Sequence, residues 1–99
     1  MLDSQFFNPV ETVTVSASTS SAAGAFSGNG VAATHMRVSN ATAGVAFVRW
    51  GTGAQTAVAT DTPVLAGQAV TLPKGIGVAN VAVILSTGTG SVFFTACNG

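Results

Sequence analysis

The sequence predicts an all-β chain, a small β-sandwich of jelly-roll or Greek-key type with about seven or eight short strands. Three observations carry this. β-Branched residues recur at period two in segment after segment, as in strands with one buried face. Turn signals built from Gly, Pro, Asn and Asp return about every 8–12 residues. Charged residues, which include several strong helix formers, make up only 6% of the chain, against about 25% in an ordinary soluble domain. Ala, Val, Thr, Ser and Gly take their place, and most of these favour strands or turns over helices.

Residues 1–10 read as an extended N-terminal arm ahead of a single sandwich domain over 11–99. Phe6-Phe7-Asn8-Pro9 is too short for a helix, and Pro9 lacks a backbone donor. Glu11-Thr12-Val13-Thr14-Val15-Ser16 alternates as a half-buried strand, with valines on one face and threonines on the other. Residues 17–30 are small apart from Phe26 and fit either a loose edge strand or a loop. Gly28-Asn29-Gly30 signals a turn.

Thr34 to Asn40 alternates again, with Met36 and Val38 facing inward, and Asn40 to Gly44 turns the chain. Val45-Ala46-Phe47-Val48-Arg49-Trp50 is apolar on both faces and reads as a central strand ended by Gly51-Thr52-Gly53. Gln55 to Ala59 is a candidate short strand, and Asp61-Thr62-Pro63 breaks the chain. Val64 to Gly67 turns it into Ala69-Val70-Thr71-Leu72, which Pro73-Lys74-Gly75 closes.

Val78 to Leu85 is the most apolar run, with Val81, Val83 and Leu85 on one face and Ala82 and Ile84 on the other. Ser91 to Ala96 is the last strand. The Gly88-Thr89-Gly90 connection predicts a hairpin between these two strands. Strands apolar on both faces need a second cover, either a loop of the same chain or a neighbouring subunit.

The bulk numbers bound the class. Ninety-nine residues fit one domain that buries roughly 60–65% of its unfolded surface. No apolar stretch approaches the ~20 residues of a membrane helix. The opening residues lack the basic region and apolar core of a secretory signal, so folding in the cytosol is expected. Cys97 is the only cysteine, which excludes a disulfide within the chain and suggests a small apolar filler. Arg37, Arg49 and Lys74 are the only Arg or Lys cations, too few for a nucleic-acid footprint. Neither a nucleic acid nor a membrane is an expected partner.

A search for chemistry finds little. His35 is the only histidine and sits in an alternating strand, where a structural or solvent-exposed role is expected. Gly24-Ala25-Phe26-Ser27-Gly28 has the wrong spacing for a nucleophile elbow. The carboxylates are Asp3, Glu11 and Asp61, of which Asp61 is expected to cap a turn. One His and one Cys make a weak metal case. The Gly51-Thr52-Gly53 and Gly88-Thr89-Gly90 pairs precede no helix and read as turns rather than phosphate loops. Asn40-Ala41-Thr42 is a chance sequon. The sequence therefore argues against an enzyme, a metal or a cofactor.

From Met36 onward the residues form a familiar series. Arg37-Val38-Ser39-Asn40 and Val45-Ala46-Phe47-Val48-Arg49-Trp50-Gly51 come first. Asp61-Thr62-Pro63-Val64-Leu65-Ala66-Gly67, Val81-Ala82-Val83-Ile84-Leu85 and Gly88-Thr89-Gly90-Ser91-Val92-Phe93-Phe94-Thr95 follow. Over about two-thirds of the chain this resembles the capsid decoration, or cement, proteins of tailed bacteriophages. The resemblance implies a jelly-roll-like sandwich bound to the outside of an icosahedral shell. It also implies assembly in the bacterial host cytoplasm. The major capsid protein and further copies of the chain, as a dimer or trimer, would be the partners.

Leu2, Phe6, Phe7 and Trp50 are the candidate interface residues. Adjacent Phe6 and Phe7 cannot both face one core if extended, so an arm laid on a neighbour is one solution and a plug at the sandwich end the other. Trp50 ends a strand beside Gly51, as an interface aromatic or an end-of-core residue. Phe93 and Phe94 point to opposite faces, so one of them belongs to the core. Two other functions compete: a low-copy head–tail or fibre-associated virion protein, and a carbohydrate-binding module using Trp50.

Overall fold

The computed structural model describes residues 8–98. Its elements are β1 (Asn8–Ala17), β2 (Ala22–Ala25), α1 (Gly28–Ala32), β3 (His35–Asn40), β4 (Ala46–Gly51), β5 (Thr62–Val64), β6 (Ala69–Pro73), β7 (Asn80–Leu85) and β8 (Gly90–Asn98). They form two antiparallel four-stranded sheets, β1-β8-β3-β6 and β2-β7-β4-β5. β1 pairs with β8, β2 with β7, β3 with β6 and β4 with β5. That nesting of first with last is a long ribbon rolled on itself, the jelly roll.

The alternation read from the sequence becomes the two inner faces. Val13, Val15 and Ala17 of β1, Val92, Phe94 and Ala96 of β8, and Met36 and Val38 of β3 line one side of the core. Val81, Val83 and Leu85 of β7, Ala46 and Val48 of β4, and Val64 of β5 line the other. Phe94, rather than Phe93, is the core phenylalanine. Burying one such side chain contributes about 1.5–3 kcal/mol. The sheets close tightly where β2 lies over β1. A Cβ on Gly24 would stand 2.8 Å from Val13 Cγ1, so only glycine fits there without a shift.

The β3–β4 turn is held by a buried polar knot. Asn40, 2% exposed, donates from Nδ2 to the carbonyls of Gly44 and Val64, each at 2.9 Å. Its Oδ1 accepts from Thr42 N at 3.0 Å and Thr42 Oγ1 at 2.7 Å. Full satisfaction lets these groups sit inside the fold. It also leaves the Asn40-Ala41-Thr42 sequon with its amide buried and engaged.

Five expectations are corrected. β1 begins at Asn8, so the last three residues of the expected arm are strand. A register shift between Pro9 and Glu11 marks a bulge there, where the ladder tolerates a residue without a donor. Residues 17–30 hold the short edge strand β2, the first of the two alternatives, but the expected turn at 28–30 opens α1 instead. The Glu11 carboxylate accepts from Ser27 N at 3.0 Å and Ser27 Oγ at 3.2 Å, anchoring the start of that helix from another strand. A side chain at Gly30 would overlap Glu11 Oε1.

Gln55 to Ala59 forms no strand, and β5 instead occupies Thr62–Val64, where Pro63 is tolerated because β5 is an edge. β7 and β8 are not a hairpin. They lie in different sheets, and the Gly88–Gly90 connection carries the chain across the sandwich. Turn residues that permit positive φ serve an arch as well as a hairpin. What decides is that β8 is flanked by β1 and β3, and β7 by β2 and β4. The candidate residues Leu2, Phe6 and Phe7 lie outside the described residues.

Candidate interaction surface

The two outer faces differ in how they are finished. Over the second sheet runs the loop of residues 52–61. Asn80 Nδ2 of β7 donates to Thr52 O at 3.0 Å, and Arg49 Nη1 of β4 donates to Thr56 O at 3.3 Å. Ala57 N donates to Ser21 Oγ, just before β2, at 2.9 Å. The loop thus ties to three successive regions of the sheet. Its Ala57 is 2% exposed, and Ala82, on the outward side of β7, is fully buried. A loop of the same chain thus lies on part of this outward side, while Phe47 and Ile84 stay half-buried.

Asp61 ends this loop as expected of a turn cap. Its Oδ2 accepts from Val58 N at 2.8 Å and its Oδ1 lies 3.4 Å from Arg49 Nε. Trp50 is half-buried, on the inward side of β4, and packs against the core. With Val48, Arg49, Asp61 and Thr62 it borders an open cleft of about 190 Å³. The structure therefore sets Trp50 at the end of the sandwich on the second sheet.

The outward side of the first sheet is different. Its register makes cross-strand rows. Thr12, Thr95, Arg37 and Thr71 form one row; Thr14, Phe93, Ser39 and Ala69 the next; Ser16 and Ser91 a third. Thr12, Thr14, Ser16, Ala69 and Thr71 are exposed, while Arg37, Ser39, Ser91, Phe93 and Thr95 are half-buried. Thr12 and Thr95 share a hydroxyl–hydroxyl bond of 3.0 Å, and Arg37 Nε donates to Thr71 Oγ1 at 3.4 Å. Seven hydroxyls and one aromatic ring, with Arg37 as the one charged side chain, make this a plane of low charge. The sequence reading put Phe93 opposite Phe94 but did not place it at the centre of this face. Strand pairing supplies its surroundings, and no local motif encodes that pairing.

The remaining polar groups are structural. Lys74, which follows β6, is 4% exposed. Its Nζ donates to the carbonyls of Val31 and Ala33 at 3.0 Å and of Gly75 at 3.1 Å. The ammonium thus serves carbonyls that end α1, and stands 5.8 Å from the Phe26 ring centroid. Burial lowers its pKa. His35 Nδ1 is 2.8 Å from Thr34 Oγ1. Burial pushes the Cys97 thiol up, against a smaller opposing pull from the Arg37 charge and a backbone hydrogen bond at Arg37. Among the described residues, no three of His, Cys, Asp and Glu gather where a metal ion could be held. No family model, curated protein or solved structure matches this chain.

Proposed function

We propose that this protein is a non-enzymatic structural virion component that binds the outer surface of an icosahedral capsid and stabilises contacts between capsomers. The observation that carries the reading is the hydroxyl-and-phenylalanine plane of low charge on the first sheet, opposite a second sheet that carries the loop of residues 52–61. A rigid sandwich with one face of low charge suits binding of many identical copies on one shell, where like charges would repel. The jelly roll serves virion and lectin domains alike, so fold does not choose between them. The resemblance of residues 36–95 to phage decoration proteins favours the virion and names the major capsid protein as partner.

Quantitative mass spectrometry of purified phage particles from the source tests this. A copy number comparable to the major capsid protein supports shell-wide decoration. A handful of copies moves the protein to the tail or a vertex. Absence from particles overturns the virion reading and returns attention to a carbohydrate-binding module using the Trp50 cleft.

A further inference from the structure

A sheet edge exposes backbone donors and acceptors to any extended strand, and folded proteins guard such edges with shortness, proline, bulges or charge. Among the described residues the sandwich has four edges: β1 and β6 in the first sheet, β2 and β5 in the second. β2 has four residues and β5 three, with Pro63 in the middle of β5. β6 has five and ends in Pro73. β1 has ten, and its guards all sit at one end. Pro9 and the bulge precede Glu11, and Glu11 is tied to Ser27 beside α1. From Thr12 to Ala17 no residue is charged and none is Pro or Gly. Among the described residues, the backbone bonds outside the strand ladders involve none of residues 12–17.

We propose that this free edge pairs antiparallel with β1 of a second copy, joining the two first sheets into one sheet across a two-fold axis. The segment is self-complementary, as an isologous contact requires. With the axis at Thr14, Thr12 lies opposite Ser16 and Val13 opposite Val15. Hydroxyls then meet hydroxyls on the outward side, and valines meet valines on the inward side. The absence of charge means that two copies meet without repulsion. A second copy is the occupant because the pattern matches its own reverse. The two planes of low charge described above become one continuous surface twice as wide. This deepens the proposed function by naming where copies meet, but it does not depend on capsid binding. Particle copy number tests the shell, and solution assembly tests the edge.

The experiment is sedimentation equilibrium of the purified full chain over a concentration series, with amide hydrogen exchange. The expected result is a dimer, with residues 12–17 protected more strongly as concentration rises. The double variant Thr14→Lys, Ser16→Lys places like charges across the axis on exposed positions and raises the dimer dissociation constant by about tenfold. Its far-ultraviolet circular dichroism stays unchanged. Ala69→Lys, on the same face at the opposite edge, leaves the dimer intact. Should the double variant misfold, Thr14→Lys alone is the substitute, because residue 14 faces its own counterpart at the axis. A monomer at all concentrations, a trimer, a dimer indifferent to the β1 lysines, or one broken equally by Ala69→Lys each overturns the proposal.

Discussion

Lys74 shows how one side chain can hold together distant parts of a small fold. Its three partners are carbonyl dipoles, two of them from the segment around the end of α1. Lys74→Met keeps the stem but removes the shared donor; the carbonyls of Val31 and Gly75 keep backbone N–H partners in Gly77 and Val78, so the change is expected to cost about 1–2 kcal/mol in a denaturant titration. The pH dependence has a definite sign. Burial sets the folded pKa below that of the unfolded chain, so the unfolded chain holds the proton more tightly. Stability attributable to Lys74 therefore rises with pH through the alkaline window between the two values. Cys97 works the other way. Its thiol is raised by burial, so its contribution is lost as pH climbs past the ordinary cysteine value. Denaturation of the wild type, Lys74→Met and Cys97→Ala across that range separates the two slopes.

At the scale of elements, the loop of residues 52–61 does what an additional layer does in larger proteins. It lies on the outward side of the second sheet, bonded to Asn80 and Arg49. Its anchor is Asp61, through one backbone cap and one ion pair. Arg49 is 47% exposed in that pair, so the pair itself contributes little and the cap contributes more. Asp61→Ala is expected to cost about 1 kcal/mol and to speed hydrogen exchange at Val58 and Ala57 before the sheets are affected. Asp61→Asn retains an acceptor and should recover most of the exchange protection. The failed hairpin belongs to this scale too. Alternation showed where β7 and β8 lie, but the connecting residues do not say which sheet receives the next strand.

For the whole molecule, the rolled ribbon makes the chain's end indispensable. β8 stands between β1 and β3, so neither sheet half closes until the last strand is in place. Deleting residues 90–99 is expected to leave no cooperative thermal transition and no protected strand amides. The full chain should fold on the millisecond-to-second scale of sandwiches with distant pairings, as stopped-flow measurements would report.

The fold class, the positions of β3, β4, β6, β7 and β8, the inner-facing valines and the central place of β4 were legible in the sequence. Side-chain period and turn chemistry are local properties of a strand. The same reading anticipated Asp61 as a turn cap, because such a cap reaches only a few residues. Tertiary structure alone decided the rest. It chose arch over hairpin at Gly88–Gly90, laid the loop of residues 52–61 against the second sheet, and chose helix over turn at Gly28. It also set Phe93 at the centre of a hydroxyl plane, brought Lys74 to the carbonyls of Val31 and Ala33, and left β1 as the long edge guarded only near Glu11. Each of these depends on which distant segments meet, and pairing energy between strands is spread over backbone bonds that every residue can make.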